Sequence, residues 1–317
     1  MKKVVFILII SMMLVGCLRK EETVEVSSEE ELTSFNNEYI DDLTVKENEK
    51  IVYHTYMQKL GIYNLDTFEW KNIHSNFSDF AYKPMGESDF FSVGNSLYNY
   101  FSVVYCDGNK LNNIVNVDAS DSIMPIGIYN NEKYFFYNID DLQGKVDRKI
   151  VKYNEGKKAF EDILYLGERL VAKGVIIEDK IYYGEYLSEE DRYVLYEYNI
   201  TDKSERMVRD NLKTDYMYNL DGKLIWNDGD GNIVSDNEIL VTIDTKEAEF
   251  DYNEDLDILF VIFPNDENDL ACEIWNCKTG SKIHSVDKYI GYSVENNILK
   301  LYCNDKIDEL SIDTLKR

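Results

Sequence analysis

Asp179-Lys180-Ile181-Tyr182-Tyr183, followed by Leu195-Tyr196-Glu197-Tyr198-Asn199-Ile200-Thr201-Asp202-Lys203, carries the reading of the whole chain. Apolar and polar residues alternate in both stretches, which turns successive side chains to opposite faces of a strand. Asn199 to Lys203 then supplies short polar residues that tolerate the left-handed backbone of a tight hairpin. The two stretches read as neighbouring strands of an antiparallel sheet, with a third beyond the turn.

The same pair recurs on both sides. The first element reappears as Glu49-Lys50-Ile51-Val52-Tyr53, Asn95-Ser96-Leu97-Tyr98, Glu132-Lys133-Tyr134-Phe135-Phe136-Tyr137 and Gly222-Lys223-Leu224-Ile225-Trp226. Looser copies are Leu256-Asp257-Ile258-Leu259-Phe260 and Asn296-Asn297-Ile298-Leu299-Lys300-Leu301-Tyr302. The second element returns as Gly61-Ile62-Tyr63-Asn64, Ile150-Val151-Lys152-Tyr153-Asn154 and Glu273-Ile274-Trp275-Asn276. Successive copies lie roughly 40 residues apart, close to one four-stranded propeller blade. Labelled a to d within a blade, the two elements are strands b and c. Composition agrees: 25 Tyr and 14 Phe against three Pro suit half-buried pleated surfaces. The expected fold is all-β, a seven-bladed β-propeller of four-stranded antiparallel blades over residues 33–317. A pair of β-sandwiches is the alternative.

On this blade rhythm and turn chemistry the chain resembles bacterial propellers of the TolB and YncE-like kind. The resemblance implies a fold and brings no catalytic or ligand motif with it. Neither the Trp-Asp dipeptide of WD repeats nor a full Tyr-Trp-Thr-Asp motif is present.

The N-terminus is read separately. Met1-Lys2-Lys3 precedes an apolar run from Val4 to Val15 broken only by Ser11, the pattern of a secretory signal peptide. Twelve residues are too few for a spanning helix, which needs about 20. The run ends Leu14-Val15-Gly16-Cys17, which resembles a bacterial lipobox and implies lipid attachment at Cys17. Residues 1–16 are then the signal and 17–32 a lipidated, Glu-rich tether too charged to bury. The expected place is the extracytoplasmic face of a cell membrane.

A formal charge of −26 repels nucleic acid and anionic lipid alike. Cys106, Cys272, Cys277 and Cys303 lack the doubled Cys-x-x-Cys spacing of a zinc site. Cys272 and Cys277 are five apart on one expected strand and face opposite ways, so four unpaired buried thiols are expected. His54, His74 and His284 show no metalloprotease spacing, and no nucleophile elbow, P-loop or dinucleotide fingerprint occurs.

Asp228-Gly229-Asp230-Gly231-Asn232 places oxygens on alternate residues as a calcium loop does. Ile233 stands where such a loop has Gly, and Ile239 where it has Glu, so a hairpin turn is the plainer reading and a weak calcium site the other. Glu189 and Glu190, like Asp228 and Asp230, fall in expected b–c loops. So do Asp140, Asp141, Asp147, Asp191, Asp266, Glu267 and Asp269, whereas the c–d turns carry Lys157, Lys158, Lys203, Lys278 and Lys282. Asp228, Asp230, Asn232, Glu189 and Glu190 are the candidate cation- or ligand-binding residues. The expected function is a non-catalytic binding module with a protein or cell-envelope partner. A propeller hydrolase or lyase acting on a cell-wall or environmental polymer is the alternative. A two-lobed solute-binding protein conflicts with the strand rhythm. A strand from residues 33–39 is expected to pair beside residues 307–312 and close the ring.

Overall fold

The computed structural model describes residues 43–315, apart from 58, 74–76, 86–87, 96–99, 108, 119–120, 141–145, 236–237, 244–247 and 266–268. Cys17, the signal, the tether, the expected closing strand at 33–39, His74, Asp141, Asp266 and Glu267 lie outside the described residues.

A short strand, β1 (Leu43–Thr44), comes first. The first sheet is β2 (Glu49–His54), β3 (Lys59–Asn64) and β4 (Trp70–Asn72). The second is β5 (Phe77–Met85), β6 (Ser88–Asn95), β7 (Tyr100–Asp107) and β8 (Lys110–Asp118). β1 pairs onto it beyond β8, Leu43 opposite Leu111 and Thr44 opposite Lys110. The third is β9 (Asp121–Tyr129), β10 (Glu132–Asp140), β11 (Val146–Asn154) and β12 (Ala159–Gly167). The fourth is β13 (Leu170–Ile177), β14 (Lys180–Leu187), β15 (Arg192–Asn199) and β16 (Glu205–Leu212). The fifth is β17 (Met217–Leu220), β18 (Lys223–Asn227), β19 (Asn232–Ser235) and β20 (Glu238–Thr242). The sixth is β21 (Glu249–Asn253), β22 (Ile258–Pro264), β23 (Leu270–Asn276) and β24 (Ser281–Val286). The seventh is β25 (Tyr289–Glu295), β26 (Ile298–Cys303) and β27 (Ile307–Ser311), followed by one helical turn, α1 (Ile312–Leu315). Every pairing is antiparallel between chain neighbours, β1 excepted.

Period-two alternation explains how these sheets stack. In β22 Ile258, Phe260 and Ile262 belong to the apolar cluster shared with the seventh sheet, and Leu259 and Val261 to the one shared with the fifth. All five are fully buried. Similar clusters join the first sheet to the second, the second to the third, the third to the fourth and the fourth to the fifth. A last one, Val52, Tyr63, Ile290 and Tyr302, joins the seventh back to the first. Each sheet is thus covered on both faces, unlike a sandwich, where one face of each sheet meets water. Aromatic pairs form rungs between sheets: Phe260 on Tyr292 at 4.2 Å, Tyr218 on Tyr252 at 5.1 Å, Tyr63 on Tyr302 at 4.9 Å. This is where the Tyr and Phe excess goes, Phe135, Phe136 and Tyr183 included.

The seam between seventh and first sheets is tight. Tyr63 donates its hydroxyl to the Cys303 carbonyl at 2.6 Å, Thr55 N–H donates to the Ile290 carbonyl at 3.2 Å, and Lys50 pairs with Glu295 at 2.8 Å. A side chain at Gly291 would begin 2.2 Å from the Tyr53 carbonyl oxygen, so only glycine lets these backbones approach.

One turn is built four times. Asn64, Asn199 and Asn276 each accept two backbone N–H groups with the side-chain oxygen, and Asn154 accepts one. The residue four positions on, Phe68, Lys158, Lys203 or Gly280, is left-handed with φ between 49 and 64°. Asparagine is suited to this because its short amide imitates a backbone carbonyl.

Several expectations need correction. The second copy of the first element, Asn95-Ser96-Leu97-Tyr98, is not a strand start: strand b is Ser88–Asn95 and ends there. Asp147 lies inside β11 and Asp140 ends β10, so neither is a loop residue. Ile312 opens α1 instead of ending a strand, and α1 caps the sixth and seventh sheets with Ile312 and Leu315 buried. Cys277 lies just past β23 and not on it, Lys282 lies inside β24 and not in a turn, and the four described cysteines are buried and form no disulfide.

Candidate functional site

Two rims follow from the turns. At one, a–b and c–d turns meet: Lys278 pairs with Asp221 and Asp257 at 2.6 Å each, and Asn199 Nδ2 donates to Asp179 at 3.1 Å. Lysines of the c–d turns therefore share their rim with a–b carboxylates. At the other, the connection entering the fifth sheet meets the β18–β19 loop, where Thr214 Oγ1 donates to the Asn227 carbonyl at 2.8 Å.

The five candidate residues sit on this second rim, Glu189 and Glu190 in the β14–β15 loop, Asp228 and Asp230 in the β18–β19 loop and Asn232 at the start of β19, and their roles divide. Asp228 Oδ1 accepts the N–H groups of Asp230 (2.8 Å) and Asn232 (3.1 Å), and Oδ2 accepts Asn232 Nδ2 at 2.8 Å. Although burial opposes it, these donors keep its carboxyl below the usual range. Asn232 Oδ1 in turn accepts from Thr242 at 3.0 Å. Gly229 and Gly231 take φ of 78 and 91°, and a side chain at Gly231 would begin 2.6 Å from the Ile243 carbonyl oxygen. Asp228 and Asn232 thus form the turn, whereas Asp230 stands out to solvent, paired with Lys213 at 2.5 Å. Glu189 is exposed, and Glu190 is held by Arg192 at 2.7 Å. Among the described residues no group of three His, Cys, Asp or Glu side chains is placed to hold a metal ion.

His54 ends β2, where burial lowers its pKa to about 4 and its ring meets Trp70 edge-on at 5.2 Å. His284 is bonded to Asp308 at 3.1 Å.

Sequence reasoning missed a second cluster, on and just before the first strands of the fourth to sixth sheets. Lys173 lies in the β13 bulge between Val171 and Gly174, its ammonium 3.0 Å from the Tyr216 ring centre. Burial pulls its pKa down to about 8 against the opposing charges of Asp215, Glu249 and Asp251. Asp215 is 8% exposed, and its carboxyl is raised by that burial.

The chain matches no described protein family and no curated protein. Among solved structures it is similar to puromycin hydrolase, at 11% identity over 86% of this chain and 52% of that one, TM-score 0.51. It is also similar to TolB from Acinetobacter baumannii (11%, 77% and 64%, TM-score 0.48). A third is the β-propeller domain of the Trilobed protease from Pyrococcus furiosus (11%, 80% and 86%, TM-score 0.44). The chain spans about half the length of puromycin hydrolase and under two thirds of TolB. At such identities the likeness concerns fold alone; the stacked four-stranded meander sheets by themselves make the described domain an all-β domain of β-propeller type.

Proposed function

We propose that this chain is a lipoprotein held by lipid on Cys17 at the outer face of a cell membrane, where a seven-bladed propeller binds a protein or cell-envelope partner. The apolar clusters that run from sheet to sheet and return from the seventh to the first support the closed seven-bladed ring. The lipobox supports the anchor. Among the described residues no helix is long and apolar enough to cross a membrane.

The observation that carries the binding role is the braced β18–β19 loop. Asp228 and Asn232 spend their side chains on the turn, and Thr214 donates to the Asn227 carbonyl at its base. Asp230, Glu189 and Glu190 are then displayed from a pre-shaped rim, which lowers the ordering cost of binding a basic surface.

The test neutralises the display and spares the turn. A variant with Asp230→Asn, Glu189→Gln and Glu190→Gln, extracted from membranes, should lose partner capture at low ionic strength while melting like the wild type. Retained capture refutes the rim. Acyl mass missing from the N-terminal peptide of the native protein, or Cys17→Ser protein still held by membranes after processing, refutes the anchor.

A further inference from the structure

A cavity of about 550 Å³ opens between the fourth and fifth sheets, bordered by the end of β16 on one side and by β18 to β20 on the other. Its origin is a mismatch of strand length. β16 runs for eight residues, whereas β19 has four and β20 has five, so the fifth sheet is too short to cover its neighbour. Two register shifts against β15, one on each side of Leu195, leave Arg209 opposite Leu195, and such irregularities bend a strand.

The walls differ in character. Trp226 and Leu212 are buried and apolar, while Ile239 borders the same cavity with 60% of its surface exposed. Exposed apolar surface continuous with a cavity is the mark of a binding groove. The Arg209 guanidinium lies over the Trp226 ring, 4.5 Å from its centre. Asp210 stands exposed at the edge, and Lys213 beside it is answered by Asp230. Asp228 also borders the space, but its oxygens serve the β18–β19 turn.

Two facts select the occupant. A guanidinium resting on an indole has a second face, and a flat ring stacks there without drawing on the N–H groups at its edge. The chain carries a formal charge of −26, which repels an anionic partner and attracts a basic one. We propose that this groove takes an aromatic side chain from a basic peptide segment. The ring lies on Arg209, with Leu212, Val234 and Ile239 around it, and a neighbouring Lys or Arg of the peptide meets Asp210. The inference rests on the protein-binding role proposed above and names the kind of segment the partner presents. A ring held in a pocket is the sort of anchor that carries much of an interface's energy.

The probes are the peptide acetyl-Lys-Ser-Trp-Ser-Lys-amide and the same peptide with Ala in place of Trp. Each is titrated into the full chain in detergent and followed by saturation-transfer NMR. Saturable binding of the Trp peptide is expected, about tenfold tighter than the Ala peptide, with transfer strongest at the indole protons. Ile239→Asp and Arg209→Lys should each abolish that preference while melting like the wild type; Arg209→Lys keeps the charge and loses the flat stacking face. Should Arg209→Lys fail to fold, Ile239→Asp, at an exposed position, decides alone. Glu189→Gln with Glu190→Gln separates the groove from the rim, because the Trp preference should survive it. A preference that survives while the rim proves inert overturns the rim and supports the groove. Binding of neither peptide, equal binding of both by the wild type, or a preference kept in the folded groove variants overturns the proposal.

Discussion

Replacing Tyr63 by Phe removes one oxygen atom from the seam between the first and seventh sheets. The hydroxyl donates to the Cys303 carbonyl at 2.6 Å and lies 3.2 Å from the Lys306 carbonyl, and the residue is fully buried. The ring keeps its packing on Tyr302, so the loss is the hydrogen bond and the desolvated acceptor left behind. Such a loss costs about 1–3 kcal/mol. For a domain of this size it lowers Tm by about 2–4 °C per kcal/mol. Tyr198→Phe is the matched control: its hydroxyl reaches the Ile163 carbonyl only at 3.4 Å, inside the chain-neighbour packing of third and fourth sheets. Urea unfolding and calorimetry of both variants give the comparison. A Tyr63→Phe protein within about 0.5 kcal/mol of wild type, well under the expected range, would refute the reasoning that this bond bolts the first sheet to the last.

The repeated asparagine turn makes a pair of predictions with opposite signs. Asn199→Ala should cost about 1 kcal/mol, as loss of a side-chain cap does, whereas Lys203→Gly should gain about 0.5 kcal/mol by relieving a left-handed residue; urea midpoints decide both. Cys106, Cys272, Cys277 and Cys303 are buried, and burial pushes the thiols of Cys277 and Cys303 up to about 12. A thiol reagent at pH 8 should therefore leave all four untouched in the native protein and label all four in urea. Glu197 is held below the usual carboxylate range by hydrogen bonds from Arg206, against its own burial, with Tyr182 helping. Its contribution is present above the unfolded value near 4.3 and lost as pH falls through the folded one. Glu197→Gln should flatten the acid limb of the stability curve, and an unchanged limb would count against this.

What could be read beforehand depended on whether the signal was local. Strands such as Ile258–Pro264 announce themselves because alternate residues must fill two interfaces. Asn64, Asn154, Asn199 and Asn276 mark the hairpins through their own chemistry. The second repeat was misread because Ser88-Asp89-Phe90-Phe91 lacks the Tyr-rich signature, which Asn95-Ser96-Leu97-Tyr98 imitates. The left-handed positions were hidden because Phe68, Lys158 and Lys203 stand where glycine would have shown them. The rim carboxylates were visible as loop residues, but not the division between Asp228, which builds the turn, and Asp230, which is displayed. The second cluster was illegible. Lys173, Asp215 and Glu249 belong to three different repeats, and only stacking of the sheets makes them neighbours.

The two-residue grip of β1 on β8 bears on how the domain carries load. Tension applied from the N-terminal side meets Leu43 and Thr44, and the Val45 N–H bonded to the Asn109 carbonyl, before it reaches β2. Those few contacts part first, and residues 43–48 pay out as slack of about 20 Å at roughly 3.3–3.6 Å each. The seam at Tyr63 and Gly291 feels force only afterwards. β1 therefore acts as a mechanical fuse that yields before the sheets do.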